Sequence, residues 1–162
     1  MHLAKSHHRT ALAEVCGSTA LRTDLQGPTI LLVEDEKFVR DVAYEILCSA
    51  GYRVLQARNA AEAVRLFRGH AKEVRVLLTD VVLPDRNGCD LAIELLLPDS
   101  GVRAIFVSGY PENLVTRKGL QRPGWFYLPK PFSAASLLRT VDQVLHKVED
   151  RLQNQNRHTA EA

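Results

Sequence analysis

No stretch of this chain is apolar for long enough to cross a bilayer. The N-terminus, MHLAKSHHRTALAEVCG, lacks the apolar core that a signal peptide carries. Cysteine is scarce: Cys16, Cys48 and Cys89 are odd in number and scattered. That argues against a disulfide framework and for reduced thiols in a cytoplasmic protein. Charge of one sign is not in excess either. A formal net charge of +2 makes no case for direct binding to nucleic acid. There is no internal repeat of the kind that marks a solenoid. What is present is ordinary: 162 residues, 46% hydrophobic and 25% charged, enough to bury a core without staples.

Residues 1–27 read as an N-terminal extension, flexible or weakly helical through Leu12, Val15, Leu21 and Leu25, and closed by Gly27-Pro28. A regular unit is expected over residues 28–149. A polar tail, residues 150–162, is expected to fray. Within the unit, five apolar runs (TILLV, YRVLQA, VRVLLTD, VRAIFVS, WFYLP) alternate with segments of helical periodicity. The first helix has Val39, Val42, Ala43, Ile46, Leu47 and Ala50 at helical spacing and ends at Gly51. Asn59 and Glu62 form a capping-box pair for the second, with Ala60, Ala63, Val64 and Phe67 facing inward. The third spans about Asp90–Leu97 and is stopped by Pro98. PENLVTRKG allows only a short fourth. Ser133 caps the last, whose inner stripe is Leu137, Leu138, Val141, Val144, Leu145 and Val148.

Continuous apolar strands are buried on both faces, so the sheet is expected to be parallel with helices on both sides. The topology expected is flavodoxin-like, a doubly wound (βα)5 sheet in the order 2-1-3-4-5, with its switch point between the first and third strands. Sites form where the carboxyl ends of such strands share a rim. Here those ends carry Glu34 and Asp35, then Asp80, then Ser108, then Lys130. A carboxylate nucleophile, a cradle for a divalent cation, a hydroxyl and a fixed positive charge make a constellation for taking up a phosphoryl group.

LLVEDE, LLTDVVLPDRNG, FVSGY and YLPKPF occur in this order at strand ends. In them the chain resembles the receiver domain of two-component response regulators over about residues 29–148. The wording SGYPENLV…PGWFYLPKPF is most similar to receivers of hybrid histidine kinases. The resemblance implies that Asp80 is phosphorylated and that the bound cation is Mg2+. Asp35 would be its direct ligand, Glu34 would act through a metal-bound water, and the backbone carbonyl of Val82 would join the shell. Ser108 would be the switch hydroxyl, Tyr127 the switch aromatic, Lys130 the phosphoryl contact, and Lys130-Pro131 a cis bond. Glu34, Ser108 and Leu83 stand where Asp, Thr and Met are common, and none of these changes removes a required group. The implied donor is a sensor histidine kinase or a histidine phosphotransfer protein, docking near Lys37, Phe38, Arg40 and Asp41. The downstream protein target is unnamed by the sequence, and a homodimer is open.

Taken singly, each site residue has a plainer reading. Acids cap strands and helices, Lys130 could be solvated, Ser108 could be a turn residue ahead of Gly109, and Tyr127 a half-buried strand aromatic. A metal-dependent phosphatase or phosphotransferase with an aspartyl-phosphate intermediate is the alternative function. Its haloacid-dehalogenase form would want a second Asp where Val82 stands. A flavodoxin-like cofactor binder would want a Ser-, Thr- or Gly-rich loop where EDEKF stands. His2, His7 and His8 read as a solvated terminal segment, Trp125 as packing, and His70 and His146 as helix-end residues without evident partners. About a dozen polar residues follow the last helix, too few for a DNA-binding fold. The expectation is a stand-alone receiver or a piece of a hybrid kinase, with Met1 and the unrelated leader favouring a complete gene product.

Overall fold

In the computed structural model, residues 27–96, 101–109 and 123–159 are described. The strands are β1 (Thr29–Val33), β2 (Arg53–Ala57), β3 (Val74–Asp80), β4 (Arg103–Ser108) and β5 (Trp125–Pro129). The helices are α1 (Lys37–Ser49), α2 (Ala60–His70), α3 (Gly88–Leu95) and α4 (Ala134–Thr159). The strands form one sheet in the order β2-β1-β3-β4-β5, every neighbouring pair parallel. This is the flavodoxin-like order expected.

The apolar runs are continuous because each face of the sheet is covered. Strand side chains alternate between faces. Ile30 and Leu32 therefore join Ala43 and Leu47 of α1 and Leu137, Val141 and Val144 of α4. Leu31 and Val33 point the other way, to Ala60, Ala63 and Val64 of α2 and Leu91 and Ala92 of α3. Each fully buried leucine stabilises the fold by about 1.5–3 kcal/mol relative to exposure. The central strands β1, β3 and β4 hold most of the buried apolar residues of the sheet, so the rim they end on is rigidly placed. Trp125 packs as expected, its ring 4.8 Å from that of Phe106.

Helix ends follow the sequence with three shifts. Gly51, at φ +89°, takes the left-handed conformation beyond α1 that favours glycine. Asn59 caps α2 by accepting from Glu62 N–H at 2.8 Å, but the Glu62 carboxylate reaches Arg58 N–H at 3.0 Å and not Asn59. Helix α3 begins two residues earlier than expected because Asn87 caps it through Cys89 N–H. Ser133 caps α4 as expected, accepting from Ser136 N–H. That helix continues to Thr159, past the point where fraying was expected. The segment KVEDRLQNQNRHT has no glycine or proline and is rich in good helix formers, so nothing in its backbone preference stops the helix. His70 and His146 do have neighbours: His70 Nδ1 lies 3.0 Å from Leu66 O, and His146 Nε2 lies 3.1 Å from an Asp142 carboxylate oxygen. Residues 1–26, including Cys16 and the three early histidines, lie outside the described residues, as do Pro98 and the segment PENLVTRKG.

Candidate functional site

Strand β1 lies between β2 and β3, and the helices that follow β1 and β3 pack on opposite faces. The loops after β1 and β3 therefore diverge and leave a crevice at the switch point. Glu34 leaves β1 with its N–H bonded to Ala57 O at 3.1 Å. Asp80 ends β3, with its backbone opposite Val107 of β4. Lys130 leaves β5, two strands away, and its N–H bonds Ser108 O at 2.8 Å. From there the lysine side chain reaches back over the end of β4. Its Nζ lies 2.6 Å from Asp80 Oδ2 and 2.7 Å from Glu34 Oε2. The second Asp80 oxygen, Oδ1, accepts from Val82 N–H at 2.8 Å, and Glu34 Oε1 accepts from Glu36 N–H at 3.2 Å.

Glu34 is only 3% exposed. Burial lifts its carboxyl above the ordinary value, the charge of Asp80 adds to the rise, and the Lys130 ammonium opposes it. Burial also works against the Lys130 charge. Its hydrogen bonds to Asp80 and Glu34 outweigh that and hold the ammonium above the usual lysine value. The lysine is therefore charged at neutral pH and shared between two acids.

Asp35 is exposed at the mouth of the crevice. One oxygen each of Glu34, Asp35 and Asp80 lie within 4.8 Å of one another. These are hard oxygen donors, graded from buried to exposed, and they suit a hard divalent cation that keeps several waters. Val82, 57% exposed, follows directly on the loop. Ser108 is buried at 2% on the same rim. Tyr127, opposite Phe106 on β4, donates its hydroxyl to Ser108 O at 3.1 Å. Ser108 O thus receives both Tyr127 and the backbone of Lys130. The Lys130-Pro131 peptide is cis. Gly88 lets α3 start against the strand end, since a Cβ there would meet Asp80 O at 2.0 Å.

Two residues of the site were not read from the sequence in the roles they hold. Arg40 Nη1 donates to Glu34 O at 2.7 Å and Asp35 O at 3.2 Å, fixing the acidic loop from behind. The available signal was a cation near a helix N-terminus, where the macrodipole disfavours it and some other partner is needed. Asp85, on the β3–α3 loop, accepts from Ala60 N–H and Ala61 N–H of α2. Nothing in the local pattern marks a cap supplied from so far along the chain.

The family model for the response regulator receiver domain matches residues 30–142, which hold both the sheet and the lysine-bridged acids. The chain belongs to the response regulator receiver family. This receiver is 40% identical over 126 residues to the sensor kinase CckA of Brucella abortus, covering 77% of this chain and 13% of that one. It is 32% identical to the DNA-binding transcriptional regulator NtrC of Azospirillum brasilense, covering 75% of this chain and 25% of that one. The chain thus spans a small share of these two relatives' lengths. The chemotaxis protein CheY of Halobacterium salinarum is 27% identical and covered over 95% of its length. Among solved structures, the receiver domain from the hybrid histidine kinase CckA superposes with a TM-score of 0.61 at 33% identity, covering 72% of this chain and 98% of that one. The likeness to hybrid-kinase receivers read from the sequence is borne out. The receiver is a phosphoacceptor module of two-component signalling. Among the described residues, no helix is long and apolar enough to cross a membrane.

Proposed function

We propose that Asp80 is the residue this receiver phosphorylates, with Mg2+ held by Glu34, Asp35, Asp80 and the Val82 carbonyl. The observation that carries this reading is Lys130 Nζ, shared at 2.6 and 2.7 Å between Asp80 and Glu34 beside a third acid. Magnesium, when bound, supplies neutralisation of the clustered carboxylates and the phosphoryl oxygens. An Asp80 oxygen attacks the phosphorus of a phosphohistidine. The P–N bond breaks, its electron pair stays with the imidazole nitrogen, and that nitrogen takes a proton from solvent water. Lys130 then exchanges its bond to Asp80 for one to a phosphoryl oxygen. Ser108 donates its hydroxyl to another. Because Ser108 O also holds Tyr127 and the Lys130 backbone, a shift of Ser108 moves the aromatic ring. This favours one of two pre-existing arrangements of the β5 surface, and a partner protein reads it. Among the described residues, a Cβ at Gly109 would meet nothing within 4 Å, which gives water room to reach the site and hydrolyse the acyl phosphate slowly.

The donor is a histidine kinase or histidine phosphotransfer protein. An apolar groove of about 410 Å³, lined by Phe38, Val39, Val42, Lys130, Pro131 and Phe132, adjoins the site. Phe38 is 75% exposed at its edge, a large apolar residue suited to a helical partner. Lys130 belongs to both groove and acid cluster, so a partner seated there brings its phosphohistidine to Asp80. The working compartment is the cytoplasm. The test is amide chemical-shift mapping with beryllofluoride and Mg2+. Changes should spread from Asp80 to residues 108–109 and 125–132. Changes confined to the loops around Asp80 and Asp35 would overturn the switch.

A further inference from the structure

Asp85 is exposed on the loop that follows Asp80, and its side-chain hydrogen bonds serve neither the acids nor the lysine. Its Oδ1 accepts from Ala60 N–H at 3.0 Å and its Oδ2 from Ala61 N–H at 2.9 Å. These are the first two residues of α2, whose leading N–H groups have no partner inside the helix. Asn59 satisfies the N–H of Glu62, so α2 is capped by two side chains. One is its own. The other comes from the phosphoacceptor loop. A carboxylate is favoured at this positive helix end. Burial is the largest single influence and opposes its charge, but the backbone N–H groups of Ala60 and Ala61, with smaller help from its own N–H and Arg86, together hold the Asp85 carboxyl below its ordinary value.

The loop between Asp80 and α3 is short and has little slack. Leu83 plugs it into the core at 6% exposure, and Gly88 N–H bonds Val81 O at 2.9 Å. Asp85 pins the same loop from outside, with Val82 upstream of both anchors. We infer that Asp85 is a positioning residue for the metal cradle, clamping the loop to α2 so that the backbone at Val82 is held beside Asp80 and Asp35. The inference rests on the magnesium reading above.

The experiment compares the parent with Asp85→Ala, Asp85→Asn and Asn59→Ala. Asn59→Ala removes the other cap of the same helix end without touching the loop. Mg2+ affinity is measured by calorimetry, without phosphodonor. Amide hydrogen exchange is measured in the metal-free protein. Asp85→Ala should weaken Mg2+ about tenfold, the low end for losing an outer partner of a metal site. Asp85→Asn, which keeps one acceptor oxygen, should fall between. Asn59→Ala should lower the melting temperature yet bind Mg2+ within about twofold of the parent. Exchange at Val82 and Leu83 should speed up in Asp85→Ala and not in Asn59→Ala. Parent-like affinity in Asp85→Ala, or equal loss in Asn59→Ala, would overturn the inference. If the parent itself binds no Mg2+, the metal reading and the cradle role both fall, and the exchange data then decide whether the clamp holds the loop at all.

Discussion

Lys37 and Lys130 each meet a carboxylate at nearly the same distance, 2.5 Å to Asp41 and 2.6 Å to Asp80, yet the two contacts differ in kind. The Lys37 and Asp41 side chains are 79% and 49% exposed, whereas Lys130, Asp80 and Glu34 are 22%, 12% and 4% exposed. Water screens the first pair, and such pairs contribute about 0–1 kcal/mol. The second set has surrendered much of its hydration, which costs more than a simple pair returns. Its charges do not balance either. Glu34, Asp35 and Asp80 against one ammonium leave two negative charges over, the charge of a single divalent cation. An arrangement that is poor as a staple is well suited as a receptor for a cation and a phosphoryl group.

Lys130→Ala leaves two carboxylates together without their ammonium and should cost about 2–3 kcal/mol by urea unfolding, less than a wholly buried pair because the lysine keeps some solvent. Lys37→Ala should change stability by less than about 0.5 kcal/mol. Equal costs would remove the distinction. Added Mg2+ should restore much of the stability lost in Lys130→Ala, since ligand binding to the folded state stabilises it. The metal side is next. Asp35→Ala should weaken Mg2+ at least about tenfold and more than Glu34→Gln does, by titration of amide shifts. Parent-like affinity in Asp35→Ala would contradict the assignment.

The smallest effect concerns Asp85 and pH. Its folded pKa is depressed below the ordinary 3.8, so its contribution is present above that value and is lost as pH falls through the folded value. Asp85→Asn should therefore be less stable than the parent near neutral pH. The gap should close as pH falls below about 3.8. A gap that does not change with pH would mean that the carboxylate charge at α2 is immaterial.

The strand order, the two-sided core and the rim were legible because periodicity and apolar runs are local signals. Asp80, Glu34, Asp35, Ser108 and Lys130 were legible as strand-end residues, and the structure brings Glu34, Asp35, Asp80 and Lys130 together. What was not legible depends on distance in the chain or on one degree of rotamer freedom. Asp85 caps a helix that begins 25 residues earlier, and sequence spacing is silent on that. Glu62 fit the capping-box pattern, but its carboxylate settled one residue further out, on Arg58 N–H. Arg40 was read as a docking residue, and its bonds to Glu34 O and Asp35 O emerge only once the β1–α1 loop has its shape.

Phosphoryl uptake on Asp80 is tested most directly by phosphate incorporation from a small-molecule phosphodonor, followed by intact mass with and without Mg2+. The parent should take up one phosphate in a Mg2+-dependent reaction. Asp80→Asn should take up none, while Lys37→Ala, with its exposed pair removed, should behave as the parent. Equal labelling of Asp80→Asn, or labelling that ignores Mg2+, would mean that Asp80 is not a metal-assisted phosphoacceptor.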